Sequence, residues 1–446
     1  MTRPFSTGLL HWIFPAMLAL IGLGIFMSGR DLSVLFLDLS QTGPSERPAL
    51  VAWFQRGVSL LLLLAAAEQI ANHFALKRRT PSPLLLIAFL TYWLGTIGSA
   101  AVFGAHPQLS HELLYALATG TACCLVHPPE REHIIRIARN SLFALMVAGV
   151  LLIPLRMNLV MDMSYSQGLI PGLPRFGGLT PHPVGQGMMA QIALLLLWSQ
   201  PYERRWLNRC AWLLGLGVLF VAQSKTAWGA FAACAMVMWA VRHGGHFWRR
   251  VGDPRGSNGF GILVCLAVIV SVLGIATWML VGDALGRAAS FAGSRDGAEL
   301  MSLTGRDRIW AAALDEWRHS PVFGYGLSLW DAAYRASIGM PQATHAHNQF
   351  LDDLARSGYV GATALVLYAA ALLVLSLRHA RTSGGLSLAL FLAVALRSVS
   401  EVPLSLLGYG TELFTHLLLL ATLASAASER RETVVRAAPL RYGVAS

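Results

Sequence analysis

Charge is what this sequence has least of. Of 446 residues only 13% are Asp, Glu, Lys or Arg, while 55% are hydrophobic. A soluble globular domain carries about a quarter charged residues, so an ordinary soluble enzyme is excluded. Acidic residues are the scarcer kind, 23 against 34 Lys and Arg, leaving a net charge of +11. That excess does not indicate nucleic acid, because the basic residues fall in short clusters between apolar runs, where they fix topology. Cysteine is sparse as well. Cys123, Cys124, Cys210, Cys234 and Cys265 lie in or at the edge of apolar runs, without paired spacing in polar loops. Neither a disulfide framework nor a zinc site follows, and buried free thiols are expected. Internal repeats and low-complexity linkers are missing too. The first apolar run lacks a small-residue cleavage pattern and reads as a retained helix rather than a signal peptide.

What the chain has in quantity is apolar runs of the length a bilayer core requires. Twelve spans are expected. The first six are Leu9–Ser28, Ala49–Ala75, Ser82–Phe103, Leu109–Val126, Ile134–Pro154 and Pro183–Ser199. The other six are Trp206–Ala222, Thr226–Val241, Asn258–Val281, Gly358–Leu377, Gly385–Leu404 and Glu412–Ala427. The fold class is therefore an all-α polytopic membrane protein. Every second connection is basic: Arg3; Lys77, Arg78 and Arg79; Arg131, Arg136 and Arg139; Arg204, Arg205 and Arg209; Arg242, Arg249, Arg250 and Arg255; Arg378 and Arg381; Arg430, Arg431 and Arg436. The positive-inside bias then places both termini in the cytoplasm and the intervening loops outside. The expected divisions are spans 1–9 over residues 1–281, a large outer loop over 282–357, spans 10–12 over 358–427 and a basic tail over 428–446.

The largest polar island runs from Gly305 to Gly361. Thr304 and Asp307 resemble a capping box, and Trp310, Ala313, Leu314 and Trp317 share one face of the helix that follows, with Arg306 in its first turn. Pro321, Gly324 and Gly326 break that helix. A second helix is expected from Ala346 or His347, with Phe350, Leu351 and Leu354 on the face of His347 and Gly358 placed as a C-cap glycine. His347 is then either a packed structural histidine or a functional one. His345 and His347 form an HxH pair and His182 lies in another outer loop, but zinc needs three or four convergent ligands, and no Cys or carboxylate pattern supplies them. No metal is expected.

Around Arg175 the chain reads GLPRFGGLTPHPVGQG. Glycine lets a ligand approach the backbone, and the guanidinium fork suits phosphate oxygens; the bland alternative is an interfacial loop with a snorkelling arginine. Lys225 marks a tight outward turn. Arg175, Lys225 and Arg306 are cations on the side that the charge bias depletes, which calls for an anionic partner such as phosphate or diphosphate. Arg56, Arg397 and Glu401 lie in or near spans toward the same side, and an Arg397–Glu401 pair at helical spacing is expected to be structural.

These residues resemble the bacterial O-antigen ligases, in the superfamily shared with O-antigen polymerases and O-linking protein glycosyltransferases. GRDRIW, PVFGYGL and HAHNQFLDDLARSGYVG carry the likeness, supported by RFGGLTPHPVGQG and QSKTAW. Lys225 stands where the family usually has arginine, which keeps the charge and loses the fork. The resemblance implies a metal-independent glycosyltransferase of GT-C-like architecture in the bacterial inner membrane. It would need no cofactor and would move glycan from undecaprenyl diphosphate to a sugar hydroxyl of lipid A–core at the periplasmic face. Arg175, Arg306 and Lys225 would bind the diphosphate. His347 would be the general base or, alternatively, a diphosphate ligand, with His345 and Asn348 behind it. Inversion at the anomeric carbon is expected. The alternatives are a polymerase, a protein glycosyltransferase or, from another class, a polytopic transporter or flippase; transporters keep their polar groups at the midplane, whereas here they collect in an outer loop.

Overall fold

A computed structural model describes residues 8–33, 49–165, 172–244, 306–341 and 343–437. Apolar sequence becomes helix throughout, since a backbone in lipid must satisfy its own hydrogen bonds. A 3₁₀ turn, Leu9–Trp12, leads into α1 (Ile13–Ser28), followed by α2 (Ala49–Ala75). Next comes α3 (Pro83–Trp93), which passes through a π-turn into α4 (Ser99–Phe103). Then follow α5 (Leu113–Cys124), α6 (Pro128–Leu151) and α7 (Met157–Val160). After these come α8 (Pro183–Ser199), α9 (Arg205–Val221) and α10 (Lys225–His243). The later helices are α11 (Arg306–His319), α12 (Ala332–Ser337), α13 (Gln349–Arg378), α14 (Leu386–Arg397) and α15 (Thr411–Ala437). Among the described residues the only strands are β1 (Met161–Asp162) and β2 (Arg175–Phe176), an antiparallel pair that sets Asp162 opposite Arg175.

By length and composition, six helical segments among the described residues suffice to cross a membrane: Leu9–Ser28, Ala52–Ala75, Pro83–Phe103, Pro128–Leu151, Gln349–Arg378 and Thr411–Glu429. The protein is thus a multi-pass helical membrane protein. α8 is buried along nearly all its length and forms the centre of the bundle. Two expected spans are shorter than read. Leu109–Val126 and Gly385–Leu404 reduce to α5 and α14, of 12 residues each, about 18 Å of helix against a hydrocarbon core of about 30 Å. The physical reason is competition for their backbone. Ahead of α5 the Ser110 side chain accepts from Glu112 and the Ser110 carbonyl from Leu113, closing a turn, and beyond α14 Ser398 and Leu404 bond to Gln349. The expected span Asn258–Val281, together with Cys265, Thr304 and Arg249, Arg250 and Arg255, lies outside the described residues. Of the thiols, Cys123, Cys124 and Cys234 are buried as expected, whereas Cys210 is exposed on α9. α15 continues to Ala437, into the stretch read as a tail.

The bundle has two distinct ends. At one, Arg131 reaches Glu429 at 2.6 Å and the Thr382 carbonyl, and Arg78 stands 3.7 Å from Glu130. Arg139 binds the Gln200 carbonyl there, and Arg242 those of Gly384 and Trp198. These are members of the basic clusters expected between alternate spans. At the other end lie the C-termini of α1, α9 and α14, the N-termini of α8, α10, α13 and α15, and the segment from α11 to α13.

Candidate functional site

The site hangs on a break in α13. Gly358 takes φ +63° and ψ −156° inside an otherwise continuous helix, so it separates an outer helix from a spanning one, with a ψ far from the left-handed helical value of the C-cap glycine expected there. The break frees backbone groups on both sides, and the PVFGYG segment satisfies them. Tyr325 and Gly326 donate to the carbonyls of Ala355 and Arg356 at 2.9 Å. Tyr359 and Val360 donate to those of Pro321 and Val322 at 2.8 and 3.2 Å. A Cβ on Gly358 would lie 2.4 Å from the Val322 backbone, and one on Gly324, also at positive φ, 2.4 Å from the Arg356 backbone. Neither position has room for a side chain.

About three turns before the break, the start of α13 builds the histidine segment. Asn348 caps the helix, its side-chain oxygen accepting from Leu351 at 3.0 Å and its amide donating to the Val399 carbonyl at 3.3 Å. Asp352, buried, accepts from the Ala346 backbone at 2.9 Å and from Arg356 at 2.8 Å, while Arg356 also donates to the carbonyls of Leu327 and Leu329. The Trp310 indole of α11 donates to the Ala346 carbonyl at 2.8 Å. Ala346 is therefore clamped at both backbone groups, and the next residue, His347, is forced to φ +49°, a conformation that costs a β-carbon-bearing residue about 1–2 kcal/mol. Such strain persists where the surroundings over-determine it, commonly at functional sites. His347 therefore precedes the helix instead of lying on its apolar face, and Phe350, expected on that face, is 47% exposed. His345 and Asn348 sit beside it as expected.

The loop after α14 brings in a carboxylate. Gln349 donates its backbone N–H to the Ser398 carbonyl at 2.9 Å, and its side-chain oxygen accepts from Leu404 at 2.8 Å. This pins residues 398–404 across the histidines. Glu401 Oε2 then lies 3.4 Å from His345 Nε2 and 3.3 Å from His347 Nδ1. Both are ion-pair distances without hydrogen-bond alignment. Burial by itself would raise the Glu401 carboxyl, but His347, then Arg397 and His345, outweigh it and bring it to about 2. Burial, followed by the neighbouring His347, pushes His345 down. The expected Arg397–Glu401 pair is not formed. Arg397 instead holds Glu412 at 3.1 Å, because residues 398–401 leave the helix on which the i,i+4 spacing depended.

The second half of the site is the Arg175 loop. Arg175 is buried, donates from Nε to the Ala222 carbonyl at 2.8 Å and lies under the Tyr165 ring at 4.7 Å. Burial lowers its pKa, with Tyr165 and Asp162 opposing. Gln223, at φ +48°, donates to the carbonyls of Leu173 and Pro174, so the Arg175 loop and the turn before α10 form one unit. Lys225 is the first residue of α10, exposed, behind the N-cap Ser224. Ser224 and Thr226 line a small cavity together with Arg397 and Glu401, which joins this turn to the histidine half.

His182 spans the two halves. It caps α8 through Nδ1, which accepts from Val184 at 3.0 Å. Burial, then Arg175, pushes its pKa down to about 4, with Glu401, His347 and Arg30 also within electrostatic reach. Arg30, just past α1, donates to the carbonyls of Leu159, Gly178 and Pro181. Sequence reasoning passed over it, although a cation at the outer end of the first span was the available signal. Arg306 begins α11 half-buried, one turn before Trp310, whose indole bonds to Ala346. Arg56 lies over the Trp53 ring on an exposed face of α2, away from these contacts.

Among the described residues one set has the donors to hold a metal ion: ligand atoms of His345, His347 and Glu401 lie within 4.8 Å of one another. The premise that no carboxylate joins the HxH pair is thus corrected, because Glu401 arrives from a distant stretch of sequence.

Bundle and site together define a polytopic membrane protein with a polar, cation-rich centre at one end. Residues 210–366 match the family model described as O-antigen ligase, a family whose members are glycosyltransferase-like enzymes. The match includes Lys225, Arg306, His345, His347 and Asn348; Arg175 and Glu401 fall outside it. No curated protein matches the chain.

Proposed function

We propose that this chain is an O-antigen ligase, transferring glycan from undecaprenyl diphosphate to a sugar hydroxyl of lipid A–core in lipopolysaccharide biosynthesis. The observation that carries the reading is the joining of the Arg175–Lys225 unit to the His347–Glu401 cluster, at the end of the bundle opposite the basic loops. Positive-inside bias makes that end periplasmic, in a twelve-span GT-C-like bundle of the inner membrane with both termini in the cytoplasm. A periplasmic enzyme lacks nucleotide sugars, and a lipid diphosphate supplies the activated bond.

In this mechanism Arg175, Arg306 and Lys225 bind the diphosphate and stabilise the charge that grows on it as the anomeric C–O bond breaks. His347 accepts the proton of the acceptor hydroxyl, whose oxygen forms the new bond to the anomeric carbon; undecaprenyl diphosphate leaves. His345 and Asn348 hold His347 in place. Glu401 is engaged by two histidines and is not free to act as a nucleophile, which favours a single displacement with inversion. Charge neutralisation rests on side-chain cations, so no metal is required.

A strain deleted for the gene tests this reading against polymerase activity. A ligase deletion accumulates lipid-linked polymer and leaves bare core. Core bearing a single repeat unit would mean a polymerase instead.

A further inference from the structure

We infer that Glu401 is a positioning residue of this reaction and that it divides the labour within the HAH motif, making His347 the base and His345 its support. The inference rests on the reading of the site as a glycosyl-transfer centre. One nitrogen of His345 is hydrogen-bonded and the other faces a carboxylate. Its Nδ1 accepts the backbone N–H of His347 at 3.0 Å, so in the neutral ring Nε2 carries the proton, and that nitrogen faces Glu401 Oε2 at 3.4 Å. His345 therefore has no lone pair left with which to take a proton from an acceptor.

His347 is arranged the other way. Its Nδ1 faces the same Oε2 at 3.3 Å, so a carboxylate there favours the tautomer with the proton on Nδ1 and the lone pair on Nε2. No described residue hydrogen-bonds that Nε2. When Nε2 takes the hydroxyl proton, the imidazolium stays beside an ionised carboxylate, the arrangement that a buried Asp provides to the histidine of a catalytic triad. The Nδ1 contact is out of line here, and catalytic hydrogen bonds commonly tighten only once substrate is bound. The geometry also accounts for the strained His347 backbone. The clamp on Ala346 and the bond from His345 turn the ring toward a carboxylate that is itself held by Gln349 through the 398–404 loop.

The test is steady-state transfer by purified full-length protein, with a lipid-linked oligosaccharide donor and a lipid A–core acceptor, for Glu401→Gln, Glu401→Asp, His345→Gln and His347→Ala. Glu401→Gln is expected to lower kcat roughly 10²-fold while donor KM stays within about threefold, and Glu401→Asp is expected to recover much of the loss. His345→Gln should be milder than His347→Ala, which should abolish transfer. Wild-type kcat in Glu401→Gln, with His347→Ala inactive, overturns the inference and leaves the proposed function standing. So does a Glu401→Gln defect that appears in KM alone or is not relieved by Asp. Wild-type kcat in His347→Ala instead removes the base assignment itself. If Glu401→Gln fails to melt as folded protein, the comparison of His345→Gln with His347→Ala decides, and equal losses overturn the division of labour.

Discussion

Replacing Gly358 with alanine strikes the joint from which the histidine segment hangs. Two costs add. An L-residue at positive φ costs about 1–2 kcal/mol, and the new Cβ would meet the carbonyl carbon and oxygen of Val322 at 2.4 Å. Those are backbone atoms bonded to Val360, which cannot rotate aside, so overpacking adds about 1–3 kcal/mol. The total, roughly 2–5 kcal/mol, is a large part of the stability of any domain. The strain falls on the outer part of α13, so transfer activity should drop along with the melting temperature in detergent. Gly24→Ala is the matched control. It lies inside α1, where a Cβ would have no neighbour within 4 Å, and alanine there should be neutral or stabilising by up to about 1 kcal/mol. Equal melting temperatures for Gly358→Ala and wild type, with equal activity, would refute the reasoning.

Arg30→Ala removes three bonds to the carbonyls of Leu159, Gly178 and Pro181 and should cost roughly 2–4 kcal/mol, read by thermal melting. It should also raise donor KM by loosening the loop of Arg175 and His182. Glu401 has a folded pKa depressed from 4.5 to about 2, so its contribution is fully present above about pH 4.5 and is lost as pH falls toward 2. Melting temperature against pH should show an acid-side decline that is reduced in Glu401→Gln, and identical profiles would contradict this. Chelator should leave transfer unchanged; a loss restored by zinc would turn His345, His347 and Glu401 into a metal centre.

Leu9–Ser28, Ala49–Ala75 and Pro183–Ser199 were readable as helices to the residue, because turn-forming or polar residues bound each apolar run and lipid leaves the backbone no other option. The ends of α5 and α14 were not. The start of α5 is set by a local turn at Ser110, and the end of α14 by Gln349, far away in sequence, whose bonds compete with the helix for the same backbone groups. The site divides in the same way. Arg175, Lys225, Arg306 and His347 were legible as residue types out of place in an apolar chain. Glu401 was noticed but assigned to Arg397, since i,i+4 spacing holds only while the chain stays helical. Its true partners depend on a loop pinned by Gln349. The glycines of PVFGYG and LARSGYVG could be read as turn formers, but not as two halves of one threaded joint.

The central claim is that His347 takes the acceptor proton at a diphosphate site containing Arg306. The most direct measurement is the lipopolysaccharide ladder of a deletion strain complemented with His347→Ala or with Arg306→Ala, each checked for insertion at wild-type levels. The account predicts bare core and accumulated lipid-linked polymer in both. A normal ladder from inserted His347→Ala protein would contradict it.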